Sequence, residues 1–365
     1  MNMLRTSSVV VATSFVLGAV GGGVAGWVVA NRDQAVPPIV SSTSTAPVTQ
    51  VIQVEREIAR PKYPGVFSAR TISPVASLVK RVNGKTLDDR LVHREQVVGQ
   101  VIALTADGWF GTSLSAMSGL RAADAGVIWN GQVYPVLSAT RDQATDLVFL
   151  KTEAQGLPVV RFVSARDTTT GMNVWMEAFP KRFSAEMIRD AYILPVQTVS
   201  SERATRRFLV SGEPVSHGSG GAIWSETGGL VGVMEWSTAD GWRVIPASHF
   251  SSALSAVLSK QKITHASLGI QTIDLSVLAV ENSDRNNLPS LGAWVKTVSS
   301  ASSTIREGDV IERLERDILD GGTDLGERLL EYLPGTTVTI HGLRKGVAWQ
   351  RSVTLGSVIT SEKLK

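Results

Sequence analysis

The 365-residue sequence contains no cysteine. That removes disulfide bonds, thiolate metal sites and cysteine nucleophiles together, although it does not fix the redox compartment. An excess of one charge is missing too: 36 Lys and Arg stand against 33 Asp and Glu, a formal net charge of +3. The two signs are mixed along the chain, without the basic block that would track a phosphate backbone, so no nucleic-acid partner is expected. Glycine signatures of nucleotide binding are chance matches. Gly21, Gly23 and Gly26 fit G-x-G-x-x-G with no strand before them, and "GKT" at 84–86 lacks the upstream glycine of a P-loop. No cofactor, no metal and no internal repeat is expected.

What is present begins with a long apolar run. Residues 6–30 carry no charge and are long enough to cross a bilayer as a helix. Arg5 and the terminal amine precede the run and favour a cytoplasmic N-terminus with the main body outside the cytoplasm, periplasmic or extracellular. The competing reading is a cleaved signal peptide ending at "VVA", residues 28–30. Gly18, Gly22 and Gly26 repeat every four residues, a spacing that lets two helix backbones pack closely against a membrane-spanning partner or a second copy.

The apolar fraction of 43% supports two or three domains with real cores. Residues 1–33 are assigned to a stub and transmembrane helix, and residues 34–70, rich in Pro, Ser and Thr, to an extended linker. From 71 to 260 short β-rich runs alternate with turn residues, the pattern of an all-β sandwich or barrel. "SHFSSALSAVLSKQ" closes this part as a helix, with Ser248 as its cap and Leu254, Val257 and Leu258 as its apolar stripe. A smaller unit spans 261–358, with a tail at 359–365. Within it Asp324 and Glu327 stand at capping-box spacing, and Leu325, Leu329 and Leu333 share one helix face.

Several stretches in order resemble the HtrA/Deg family, whose members join a trypsin-like protease of two β-barrels to a PDZ domain and are often membrane-anchored. "GQVIALTADGWFGTS" is similar to the strand-turn-strand leading to the catalytic histidine, and "ATRDQATDLVFLKT" to the segment of the catalytic aspartate. "GSGGAIWSETGGLVGV" is similar to the nucleophile turn, and "SLGI" with "EGDVI" to the PDZ carboxylate loop and a later strand. The resemblance implies a mainly β chain: a chymotrypsin-like double β-barrel, then a PDZ-like α+β domain, behind an N-terminal transmembrane helix.

By that resemblance Ser219 falls on the nucleophile and Asp146 on the orienting carboxylate. The histidine position holds Ser115, and a hydroxyl is no general base near neutral pH. His217 and Gly218 occupy the oxyanion-hole positions. His217 stands where the family has glycine, so a side chain restricts that backbone. Of the other histidines, His93 would need a different strand path to serve as base and is the one left open; His249, His265 and His341 read as surface or structural.

The expectation is a degenerate protease domain, with Ser219 kept as a turn residue and an idle Ser115–Ser219–Asp146 hydrogen-bond cluster. Leu268, Gly269 and Ile270 are the implied peptide-binding loop, taking peptide C-termini or membrane-protein tails. Such a protein acts as a scaffold, sensor or regulator, and the family makes a homotrimer possible. The alternatives are an active membrane-anchored serine endopeptidase using Ser219, and a structural subunit of a membrane complex whose peptide groove is closed.

Overall fold

The computed structural model describes residues 73–81, 92–178, 180–193, 198–277, 288–299 and 304–364. The expected anchor with Gly18, Gly22 and Gly26, and the linker after it, lie outside the described residues. Among the described residues no helix is long and apolar enough to cross a membrane.

The first half of the protease-like part is built from β1 (Val75–Lys80), β2 (Val97–Ala103), β3 (Trp109–Ser113), β4 (Ala125–Trp129), β5 (Gln132–Pro135), β6 (Ser138–Asp142) and β7 (Leu147–Lys151). The second half comprises β8 (Asn173–Ala178), β9 (Lys181–Ile193), β11 (Arg206–Val210), β12 (Ala222–Ser225), β13 (Leu230–Thr238) and β14 (Gly241–Pro246), with a two-residue strand β10 (Val199–Ser200) in the connection between β9 and β11. These six larger strands close into a barrel in the order β11-β14-β13-β12-β8-β9. Each half folds around its own apolar residues, Val101, Phe110 and Leu150 in the first and Met176, Phe208 and Val244 in the second. A third cluster fuses the two halves. Ile102 and Phe149 from one side meet Trp224 and Ile245 from the other, with Phe250 of helix α1 (Ser248–Leu258) between them. Phe250 stands edge-on to Phe149, centroids 5.6 Å apart, the geometry the aromatic quadrupole favours.

Ser248 makes no capping bond; the cap position is Ala247. The helix buries His249, Phe250, Ala253 and Val257, while Leu258 is exposed. The buried stripe therefore lies one step around from the one expected, because Phe250 anchors the helix in the inter-barrel core.

The C-terminal unit carries β15 (Thr264–Ser267), β16 (Ile270–Asp274), β17 (Ala293–Val298), β18 (Val310–Leu314), β19 (Asp317–Ile318), α2 (Leu325–Leu329), β20 (Thr337–Arg344), β21 (Val347–Thr354), β22 (Gly356–Ile359) and β23 (Ser361–Lys363). Its core gathers Ile270, Val295, Leu314, Leu325, Leu329 and Ile340. Helix α2 ends before Leu333, which is 78% exposed, so only two of the three expected leucines face inward. Asp324 caps Gly326 N–H at 3.0 Å, but Glu327 does not complete a capping box: it turns instead to Arg206, 3.1 Å away.

Two features tie this unit to the rest. Entering strand β15 pairs with leaving strand β22. Of the stretch 359–365, expected as a tail, Ile359 ends β22 and Ser361–Lys363 form β23, which pairs with β6 through Ser361 opposite Asp142. The first sheet thus runs β23-β6-β7-β3-β2-β1-β4-β5.

Candidate functional site

The turn before β12 is fixed by backbone bonds. Gly218 N–H donates to the Val215 carbonyl at 3.0 Å, Gly220 N–H to Met234 at 2.7 Å, and the Ser219 carbonyl accepts from Gln100 N–H at 2.8 Å. Gly220 has φ 84°, and a Cβ there would sit 1.9 Å from the Gln100 carbonyl oxygen; no side chain fits. His217 also takes a left-handed φ, 58°, at a cost of roughly 1–2 kcal/mol for a residue with a Cβ. The side chain expected to restrict this backbone thus does not keep it from that conformation. Its carbonyl accepts from Gln100 Nε2 at 3.3 Å. Among the described residues, the amides of His217 and Ser219 and the Ser219 hydroxyl find no hydrogen-bond partner.

Ser115 follows β3 in a short 3-10 turn (Leu114–Met117). Its hydroxyl shares a 2.8 Å bond with Ser113 Oγ and donates to the Glu235 carbonyl. Asp146 does not join it. The Asp146 carboxylate accepts from Arg141 Nη2 at 2.6 Å and from Arg203 Nη2 at 2.8 Å, with Arg207 Nη2 at 3.6 Å. The expected Ser115–Ser219–Asp146 cluster does not form, because guanidinium donors outcompete a hydroxyl for a carboxylate. Arg207 is fully buried and is held by Glu235, Nε to Oε2 at 2.8 Å. The Glu235 carboxylate, Arg207 and Asp146 therefore form a chain of charged contacts, and Ser115 bonds Glu235 only at its main-chain carbonyl.

Each of the five histidines has a distinct place. His93 and His217 are exposed and line one groove of about 810 Å³ with Gln100, Pro214 and Val215. His249 and His265 are buried: His249 Nε2 lies 3.5 Å from Glu327, and His265 Nε2 lies 3.0 Å from Asp142. His341 bonds Arg313 Nη2. Among the described residues no three His, Asp or Glu side chains gather to hold a metal ion.

Leu268 and Gly269 lie between β15 and β16, and Ile270 begins β16; the amides of Leu268 and Gly269 are engaged. Leu268 N–H donates to Ser201 Oγ at 3.1 Å and Gly269 N–H to Ser267 Oγ at 2.9 Å. One edge of β16 carries β17; the other carries β10, with Val199 opposite Thr272 and Ser200 opposite Gln271.

Residues 83–233 match the trypsin-like peptidase domain family. A serine protease Do-like HtrA of Lactobacillus helveticus is 22% identical over 260 residues, 66% of this chain and 63% of that protein. Its namesake in Lactococcus lactis subsp. lactis is 29% identical over 145 residues, 35% of this chain and 36% of the relative. The chain thus spans less than two thirds of the curated relatives it matches. Among solved structures, the HtrA-type protease AlgW with decapeptide superposes with a TM-score of 0.54 at 16% identity, covering 80% of this chain and 97% of that one. The chain is thus similar to HtrA-type serine proteases, and its matched part is a trypsin-like peptidase domain.

Within this HtrA-like chain, two groups escaped the motif reading: the arginines on Asp146 and the strand β10. The one sequence signal for Arg203, Arg207 and β10 is "SSERATRR", residues 200–207, a run too charged for a plain connection between strands. Its buried Arg206 and Arg207 show that it is interior.

Proposed function

We propose that this is a membrane-anchored HtrA-like protein whose protease domain is degenerate, and that it works outside the cytoplasm as a peptide- or protein-binding scaffold, sensor or regulator through a PDZ-like C-terminal domain. Acyl transfer by a serine needs an imidazole within reach and a carboxylate to orient it. The observation that carries the reading is the state of Asp146: both carboxylate oxygens are taken by arginines, while Ser115, the imidazole position by the resemblance, directs its hydroxyl to a carbonyl. Loss of the histidine in a comparable triad costs about a million-fold in turnover. Peptide binding draws support from the decapeptide bound to AlgW. The apolar run at 6–30 supports the anchor.

The test is a fluorophosphonate probe on the purified chain, with Ser219→Ala as control and casein as substrate. No labelling above the control is the expected result. Labelling and cleavage lost in Ser219→Ala would sink the degenerate reading in favour of an active serine endopeptidase. That second reading is favoured by His93, exposed in the groove that also holds His217, and by the unpaired amides of His217 and Ser219.

A further inference from the structure

We infer that the segment Val199–Glu202 is a built-in ligand of the C-terminal unit's own groove, and that a free-carboxylate peptide binds this protein by displacing it. The inference rests on the peptide-binding reading above. The segment does what an added peptide strand would do. Val199 and Ser200 pair antiparallel with β16, and Ser201 N–H continues the ladder to the Ile270 carbonyl at 2.9 Å. The chain runs toward the Leu268–Gly269 loop, where Ser201 Oγ takes the Leu268 amide. Glu202 then brings a carboxylate to the loop mouth, accepting from Ser267 Oγ at 3.0 Å. A terminal carboxylate seeking these donors finds them occupied by a hydroxyl, with a negative charge beside it.

The continuation of the segment reaches α2. Asp324 accepts from Arg206 N–H at 3.0 Å and also from Thr205 N–H. Gly326 lies against the Arg203 backbone, where an added Cβ would be 2.1 Å from the carbonyl oxygen. Residues 199–206 therefore span from strand β16 to helix α2. The attachment is firm at the helix and light at the strand, where β10 has only two residues. An open space of about 700 Å³ borders Ser200, Glu202, Leu268 and Gly269, so an incoming peptide end reaches the light part first. The competitor must supply what the segment supplies: an extended backbone for β16, and a carboxylate for the loop in place of Ser201 Oγ and Glu202.

The absence of cysteine makes a clean test. Facing residues of an antiparallel pair have Cα atoms about 4.5–5.5 Å apart, inside the range a disulfide bridges. Val199→Cys with Thr272→Cys therefore locks β10 onto β16 on oxidation and frees it on reduction. The full chain in mild detergent is titrated with fluorescent pentaalanyl-valine carrying a free carboxylate, and with its amide. The reduced double variant is expected to bind the acid and not the amide, and the oxidised form to bind at least about tenfold more weakly. Ser201→Ala, which removes one loop contact, should bind about fivefold more tightly than the unaltered chain. Equal affinity of the locked and reduced forms would overturn the displacement while leaving peptide binding intact. Absence of binding in every form, Ser201→Ala included, would overturn the peptide-binding reading itself and favour a structural subunit with a closed groove.

Discussion

Asp142, the last residue of β6, and His265, on the first strand of the C-terminal unit, meet at 3.0 Å across 123 residues of sequence, both buried. Thr145 and Thr360 complete the site, donating to the same carboxylate at 2.9 and 2.6 Å. Three separated segments are thus joined on one carboxyl group.

Acid should loosen this junction. Burial pushes the Asp142 carboxyl up, but His265, Thr360 and Thr145 outweigh it and leave it below the ordinary carboxylate range. Burial likewise raises Glu327, and His249, Arg206 and Arg328 more than reverse that. Both groups bind fewer protons folded than unfolded, so their contribution is present above about pH 4 and is lost as pH falls further. Asp324 has the opposite sign, raised by burial, and offsets part of the loss. Urea midpoints should fall between about pH 5 and pH 3, and Asp142→Asn should flatten that dependence. A profile unchanged by Asp142→Asn would contradict the assignment.

Placing a histidine at Ser115 should not create chemistry. In Ser115→His the new imidazole would meet an Asp146 already engaged by Arg141 and Arg203. We expect fluorophosphonate labelling at Ser219 to stay at the level of the unaltered chain; a rise of about tenfold or more would show that the arginines yield the carboxylate.

Glu235 should matter more to stability than Ser115 or Ser219. Glu235→Ala leaves the fully buried Arg207 without its main partner, a loss of about 3–5 kcal/mol for a broken buried pair. Equilibrium denaturation would read it directly, and a change below about 1 kcal/mol would mean that Asp146 compensates.

Gly326→Ala should lift residues 203–206 from α2, since the new methyl would lie 2.1 Å from the Arg203 carbonyl oxygen and 2.8 Å from Ala204 N. The expected cost is about 1–3 kcal/mol, with faster amide exchange at Thr205 and Arg206. Unchanged exchange there would mean that the helix shifts instead.

Much of this was legible in local chemistry. The strands around Ser219 and Asp146 follow from short apolar runs with turn residues between them, and the Asp324 cap from its place before an apolar turn. What escaped was set by distant partners. Glu327 has the right spacing for a capping box, yet its partner Arg206 is 121 residues away. Nothing near Asp146 in sequence announces Arg203 or Arg207, because a carboxylate beside an apolar strand reads alike whether it faces an imidazole or a guanidinium. Strand β10 is two residues long, too short for any period, and its partner lies in another domain. Leu333 failed for the reverse reason: helical spacing continues past the point where the helix stops.

The pairing of β23 with β6 also sets an order of events during synthesis. Strand β6 is finished when Asp142 has been made, but its neighbour arrives only with Ser361. At about 5–20 residues per second the interval is roughly 10–40 s. Through that interval β6 is an open sheet edge, able to accept a strand from another nascent chain. The first sheet to be made is therefore among the last to be completed, and a chaperone covering β6 would act before Ser361 arrives.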